Sequence, residues 1–217
     1  MNLQAYFANG YYTGTLDEIF KDKDLFENNV MAMKQSFENK DSKVWRYNHT
    51  ISNDQSIASF ISIDEIAERK RLVEKNQYSV FQQLYTGPPP EHSRKYFQKC
   101  IESFIEPIYP LDKPFYYHHN DNLNVMVSGD HINNHVDGGN PERICGFIIY
   151  LSNYSDYIEK SGGGELILNN DIVVMPVKGT FVLLDYTKHN IKHEVKLVKN
   201  DFIRMAYVNF ITIQQFN

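Results

Sequence analysis

Two textures of hydrophobic patterning meet near residue 110. Before it, apolar residues recur every three or four positions, the period of a helix with one buried face. Over residues 64–85 the series Ile66, Leu72, Val73, Val80, Phe81 and Leu84 predicts a helix. Ser62 and Glu65 would form its capping box, and Gly87 with three prolines would stop it. A second helix is predicted over 93–106, where Phe97, Cys100, Ile101, Phe104 and Ile105 form one stripe ended by Pro107. Residues 44–48 read as a short strand.

From residue 111 the pattern changes to short runs of Val, Ile, Phe and Tyr separated by Gly, Asn, Asp and Pro, the texture of a sandwich or barrel. Strands are predicted over 123–128, 133–137, 143–151, 165–168, 172–174, 180–184, 193–198 and 202–213. Turn chemistry falls between them, at Asn169-Asn170-Asp171, Pro176 to Gly179 and Lys199-Asn200-Asp201. Eight such segments suggest a jelly roll. The expected fold is α+β with a mainly β core: a double-stranded β-helix, cupin-like, with an N-terminal helical support. We expect one domain over 1–217, with 1–110 mostly helical support and 111–217 the jelly-roll core.

Composition narrows the functional classes. The 217 residues are 42% hydrophobic and 14% aromatic, an ordinary globular content. A net charge of −5 argues against a broad basic footprint for nucleic acid. Cys100 and Cys145 lack the spacing of a disulfide framework or a thiolate zinc site. No apolar run approaches the length of a membrane span. A cytoplasmic protein is the expectation.

Chemistry enters at Asn134-His135-Val136-Asp137. Side chains two apart on a strand project from the same face, so His135 and Asp137 can bind one ion together. A third ligand from another strand would complete a two-histidine, one-carboxylate set with open coordination positions. His193 and His189 compete for that place. His193 opens an alternating strand, whereas His189 sits in a loop. His131 and His135 have the four-residue spacing of a zinc-protease helix but lack its glutamate, and His118 and His119 read as structural or substrate-side.

The region 129–210 resembles the 2-oxoglutarate- and Fe(II)-dependent dioxygenase superfamily, in particular its prolyl 4-hydroxylase-like branch. Gly129-Asp130 leading to His135 and Asp137 resembles the glycine turn before the first two ligands. Residues 149–153 resemble the Tyr-Leu-Asn strand end, Gly163-Gly164-Glu165-Leu166 the Gly-Gly-Glu-Leu element, and His193-Glu194-Val195 the distal histidine strand. The resemblance favours His193 and implies Fe(II), 2-oxoglutarate and O2, with L-ascorbate as an optional reductant.

It also implies a cationic partner for the distal carboxylate of 2-oxoglutarate. Arg204 takes that role, with Tyr150 as a further donor. Arg204 lies eleven residues beyond His193 where relatives have nine or ten, so the turn at 199–201 must absorb the difference. Val125-Met126-Val127 stands where relatives carry a tyrosine. Retention of Asp137 points to hydroxylation rather than halogenation. A prolyl residue in a peptide or protein is the leading substrate class. The alternatives are a free amino acid or other small molecule, a zinc or manganese hydrolase or isomerase with the same triad, and a non-catalytic cupin-like metal-binding module. Residues 153–162, with Tyr154 and Tyr157, and residues 138–142 are expected to flank the pocket mouth.

Overall fold

The computed structural model describes residues 1–41, 43–51, 60–61, 66, 71, 80–137, 140 and 142–215. Twelve strands form one antiparallel sheet: β1 (Tyr11–Thr15), β2 (Arg46–Ile51), β3 (Phe60–Ile61), β4 (Val80–Gly87), β5 (Phe115–Met126), β6 (Ile132–His135), β7 (Arg143–Tyr150), β8 (Leu166–Leu168), β9 (Ile172–Val174), β10 (Thr180–Asp185), β11 (His193–Val195) and β12 (Arg204–Gln215). Among the elements described in full, four α-helices accompany them: α1 (Leu3–Asn9), α2 (Lys23–Glu38), α3 (Glu91–Ile105) and α4 (Tyr154–Lys160). The strand order is β1-β10-β7-β12-β5-β4-β6-β11-β8-β9, with β2 added on β4 and β3 on β2. This is the jelly-roll arrangement expected from the pattern.

Alternation along the central strands divides the apolar residues between two cores. On β10, Phe181 and Leu183 face the helices while Val182 and Leu184 face the interior of the curled sheet. On β12, Met205 and Tyr207 join the helical core and Ala206 joins the interior one. Such strands are buried on both faces and read as near-continuous hydrophobic runs. The helical core is closed by Phe26, Val30, Met33 and Phe37 of α2 and by Phe97, Ile101 and Ile105 of α3. The Phe97 ring packs at a tilt against Tyr207 and Phe20, with centroids 4.9 Å and 4.6 Å away. Each fully buried side chain of this size contributes about 1.5–3 kcal/mol.

The helix predicted over 93–106 is α3. The one predicted over 64–85 is corrected at its C-terminal end, because residues 80–87 are β4. Val80, Phe81 and Leu84 fit a helical spacing only over a short window. Their β-branched and aromatic neighbours suit a strand equally, and pairing decides: Arg46 to Thr50 of β2 line one edge of β4, and Leu123 to Val125 of β5 the other. The capping box at Ser62 and Glu65 lies outside the described residues. The strand read at 44–48 begins two residues later and runs to Ile51.

β4 also pairs with β6 through Gln82 and Ile132. It therefore links the helix-backed half of the sheet to the half formed by β6, β11, β8 and β9. The first half of the chain thus supplies strands as well as helices. Residues 153–162, expected as a loop at the pocket mouth, contain α4 instead. Tyr157 of α4 packs edge-on to Phe202 and donates to Glu165, and among the described residues none of 153–162 lines the cavity that holds the histidines. Of 138–142, residues 138, 139 and 141 lie outside the described residues.

Candidate metal centre

His135 ends β6 and His193 begins β11, and the two are register partners across the ladder. Nδ1 of His135 lies 2.8 Å from the Asn133 carbonyl, and Nδ1 of His193 lies 3.0 Å from the Ile191 carbonyl. Since a carbonyl only accepts, each Nδ1 carries the proton and each Nε2 presents its lone pair. Both Nε2 atoms point at Asp137, at 3.4 Å from Oδ1 for His135 and 3.4 Å from Oδ2 for His193.

Asp137 is two residues past the end of β6, so the chain carries its side chain to the same face after the ladder has stopped. One ligand atom from each of the three residues lies within 4.8 Å of the others, a group that could hold a metal ion. Burial works against ionising Asp137, but the adjacent His135 and His193 and the Tyr186 hydroxyl outweigh it and hold the carboxyl well below the usual range. Burial likewise opposes protonation of His193, and Asp137 reverses that into a net upward shift. A cation at the centre would take the place of those protons. Two imidazoles and one carboxylate on a single face suit Fe(II) and leave positions open.

His189 is not in this group. Its Nε2 lies 3.1 Å from the Phe7 carbonyl of α1, and its ring packs under Gly10. His119 is held by Glu102 and Asn209, at 2.9 Å and 2.8 Å, away from the triad.

A cavity of about 200 Å³ opens onto the three residues, and Arg204 lines it too. The extra residues between His193 and Arg204 are absorbed at Asn200 and Asp201, which adopt φ of 52° and 57°. Arg204 is 3% exposed. Its Nε donates to the Gly164 carbonyl at 2.9 Å and one terminal nitrogen lies 3.6 Å from Met126 Sδ. Met126 thus fills the place where a tyrosine was looked for. Gly164 has φ +75°, and a Cβ there would come within 2.9 Å of Arg204 Cδ, so only glycine lets the arginine pass.

Among the described residues no carboxylate pairs with Arg204. Burial lowers its pKa, with Tyr150 and Glu165 opposing. Tyr150 does not line the cavity. Its ring lies beneath the guanidinium, 5.2 Å from Cζ, and its buried hydroxyl has no hydrogen-bond partner. A buried cation with no carboxylate partner among the described residues, beside a buried hydroxyl with no acceptor, fits a carboxylate near both.

Sequence reasoning missed Tyr186. Its hydroxyl donates to Asp137 Oδ2 at 2.6 Å, and it lines the same cavity. A tyrosine just after a strand carries no periodic or motif signal, and only the tertiary fold brings it to the carboxylate.

Residues 112–212 match the sequence profile of the 2OG-Fe(II) oxygenase superfamily. The matched segment, just under half of the chain, is similar to 2OG-Fe(II) oxygenase domains, which supports a 2-oxoglutarate-dependent iron dioxygenase. The superfamily's cofactor and cosubstrates are Fe(II), 2-oxoglutarate and O2. The fold is similar to a prolyl hydroxylase from Trichoplax adhaerens in complex with a hypoxia inducible factor oxygen degradation domain peptide fragment. That match has 15% identity and a TM-score of 0.64, and covers 98% of this chain and 87% of that one. A 2OG-Fe(II) oxygenase family oxidoreductase from Burkholderia pseudomallei is similar at 14% identity and TM-score 0.58, over 98% and 91%. A Pseudomonas putida prolyl-4-hydroxylase is similar at 13% identity and TM-score 0.53, over 97% and 96%. No curated protein sequence matches the chain. Among the described residues no helix is long and apolar enough to cross a membrane.

Proposed function

We propose that the protein hydroxylates an organic substrate, with a prolyl residue in a peptide or protein as the leading class, and that 2-oxoglutarate is consumed to succinate and carbon dioxide. His135, Asp137 and His193 hold Fe(II), and Arg204 with Tyr150 receives the distal carboxylate of 2-oxoglutarate. The carrying observation is the buried guanidinium of Arg204, which has no carboxylate partner among the described residues and faces the same cavity as the triad. We also read residues 1–217 as one domain, since strands from both halves share one sheet.

The iron supplies oxygen activation when bound. The residues around it bind, orient and exclude water. The Nδ1 hydrogen bonds keep both imidazoles aimed at the ion. Arg204 offers a planar fork at a fixed distance from the triad, which sets how far the cosubstrate reaches towards the metal. Ile132, Ile148, Leu166 and Val195 give the cavity apolar walls beside the polar side chains of Gln82 and Asn124.

The peptide reading is supported by the fold's likeness to a prolyl hydroxylase that was solved with a peptide. A free amino acid is the second reading, favoured by the small cavity. The test is succinate release from 2-oxoglutarate with Fe(II) and ascorbate, across proline peptides, free amino acids and other small molecules. Stimulation by proline peptides is expected. Stimulation by free amino acids alone would select the second reading. No succinate with any substrate, together with no binding of 2-oxoglutarate to the Fe(II)-loaded protein, would overturn both.

A further inference from the structure

We infer that Tyr186 is a positioning residue that keeps Asp137 a one-oxygen ligand, and so preserves a coordination position that a two-oxygen carboxylate would occupy. This rests on the triad reading above. The geometry is local and specific. Each Asp137 oxygen lies 3.4 Å from a histidine Nε2, Oδ1 from His135 and Oδ2 from His193, but among the described residues Oδ2 also accepts from the Tyr186 hydroxyl at 2.6 Å. A lone pair committed to a phenol at that distance is a charge-assisted hydrogen bond. Oδ1 is therefore the oxygen left for an ion.

The fold goes to some length to hold the phenol there. The Tyr186 amide donates to the Ile144 carbonyl at 3.1 Å, and the amide of Asp185 donates to the Gly10 carbonyl at 2.8 Å. One Asp185 carboxylate oxygen takes both the amide and the hydroxyl of Thr187, at 2.9 Å and 2.6 Å, which pins the turn on its other side. The ring lies over Gly146 of β7, where a Cβ would stand 2.7 Å from a ring carbon. Phe210 covers it at 6.1 Å between centroids. A larger residue than glycine at 146 would push the ring from the position that meets Asp137.

The consequence is countable. An ion with about six positions and three single-atom protein ligands keeps about three for other ligands. A cosubstrate that bound through two atoms would take two of them and leave one for oxygen. If Asp137 closed on the ion with both oxygens, the last would be lost. Tyr186 prevents that by occupying Oδ2.

The test uses the full chain loaded with Mn(II) in place of iron, without cosubstrate. Coordinated waters are counted from line broadening of the Mn(II) resonance in oxygen-17 water. Wild type is expected to retain about three waters. Tyr186→Phe keeps the ring packing and is expected to lose one. Gly146→Ala, which displaces the phenol without removing it, is expected to move the same way, and either variant that folds and binds Mn(II) decides the question. An unchanged count in these variants overturns the inference and leaves the triad standing. Mn(II) binding that survives in His135→Ala would instead overturn the triad itself.

Discussion

His135 and His193 face each other across the β6–β11 ladder, with ring centroids 4.2 Å apart. Because they are register partners, a slip of one residue in either strand would turn one imidazole out of the site. The metal centre is thus a property of strand pairing as much as of side-chain chemistry.

His135→Ala and His193→Ala are each expected to abolish stoichiometric Fe(II) uptake, measured by anaerobic equilibrium dialysis. His189→Ala should leave uptake unchanged, since that ring contacts α1 rather than the triad. Loss of uptake in His189→Ala with retention in His193→Ala would reverse the assignment.

Replacing Arg204 separates cosubstrate binding from folding. Hydrogen bonds to a charged group contribute about 1.5–3 kcal/mol, so Arg204→Met should raise the KM for 2-oxoglutarate by about ten- to a hundredfold. Arg204→Lys keeps charge but loses the fork and should fall between. The melting temperature without cosubstrate is expected to change little, because relief of a buried, unpaired cation offsets the lost bond to Gly164. Saturating 2-oxoglutarate should raise the melting temperature of wild type only. A large loss of stability without cosubstrate, at normal KM, would make Arg204 structural.

Gly164→Ala tests the passage through which Arg204 reaches the cavity. A side chain at φ +75°, with its Cβ 2.9 Å from Arg204 Cδ, should cost about 1–3 kcal/mol, read from urea unfolding, and weaken 2-oxoglutarate binding as the arginine shifts. Full stability with unchanged affinity would show that the loop adjusts freely.

Alkaline pH should weaken the fold. Burial is the leading cause of the raised pKa at Tyr12, Tyr96, Tyr117 and Tyr157, each pushed up to about 12, and burial drives Tyr6, Tyr47 and Tyr109 higher still. A group whose folded pKa is raised lends its stability in full below its unfolded value, 10.0 for tyrosine here, and loses it as pH climbs through the folded value. The melting temperature should therefore hold up to about pH 10 and fall beyond it. Ultraviolet titration should show the buried tyrosines ionising only as structure is lost. Ionisation of all 15 tyrosines near pH 10 in a folded protein would contradict this.

Legibility varied with how local the signal was. The stripe Phe97, Ile101, Ile105 marked α3 because i, i+3 and i+4 neighbours bury one face whatever they pack against. The turn at Asn169 and Asn170 was legible because asparagine tolerates the left-handed backbone those two adopt, at φ 51° and 70°. The end of the helix read at 64–85 was not: a window from Val80 to Leu84 satisfies both periods, and the β2 and β5 edges that settle it are distant in sequence.

By itself the sequence pointed to the jelly-roll texture, to the pair His135 and Asp137 and to the glycines that let the chain turn, while Arg204 came from the family resemblance. The first three follow from local periodicity and residue chemistry. The alternating strand and the family resemblance already favoured His193 over His189; tertiary structure alone decided that Met126 stands beside the arginine, that α4 packs away from the cavity, and that Tyr186 holds Asp137. Each of those depends on strand register and on contacts between residues far apart in the chain, which no local pattern encodes.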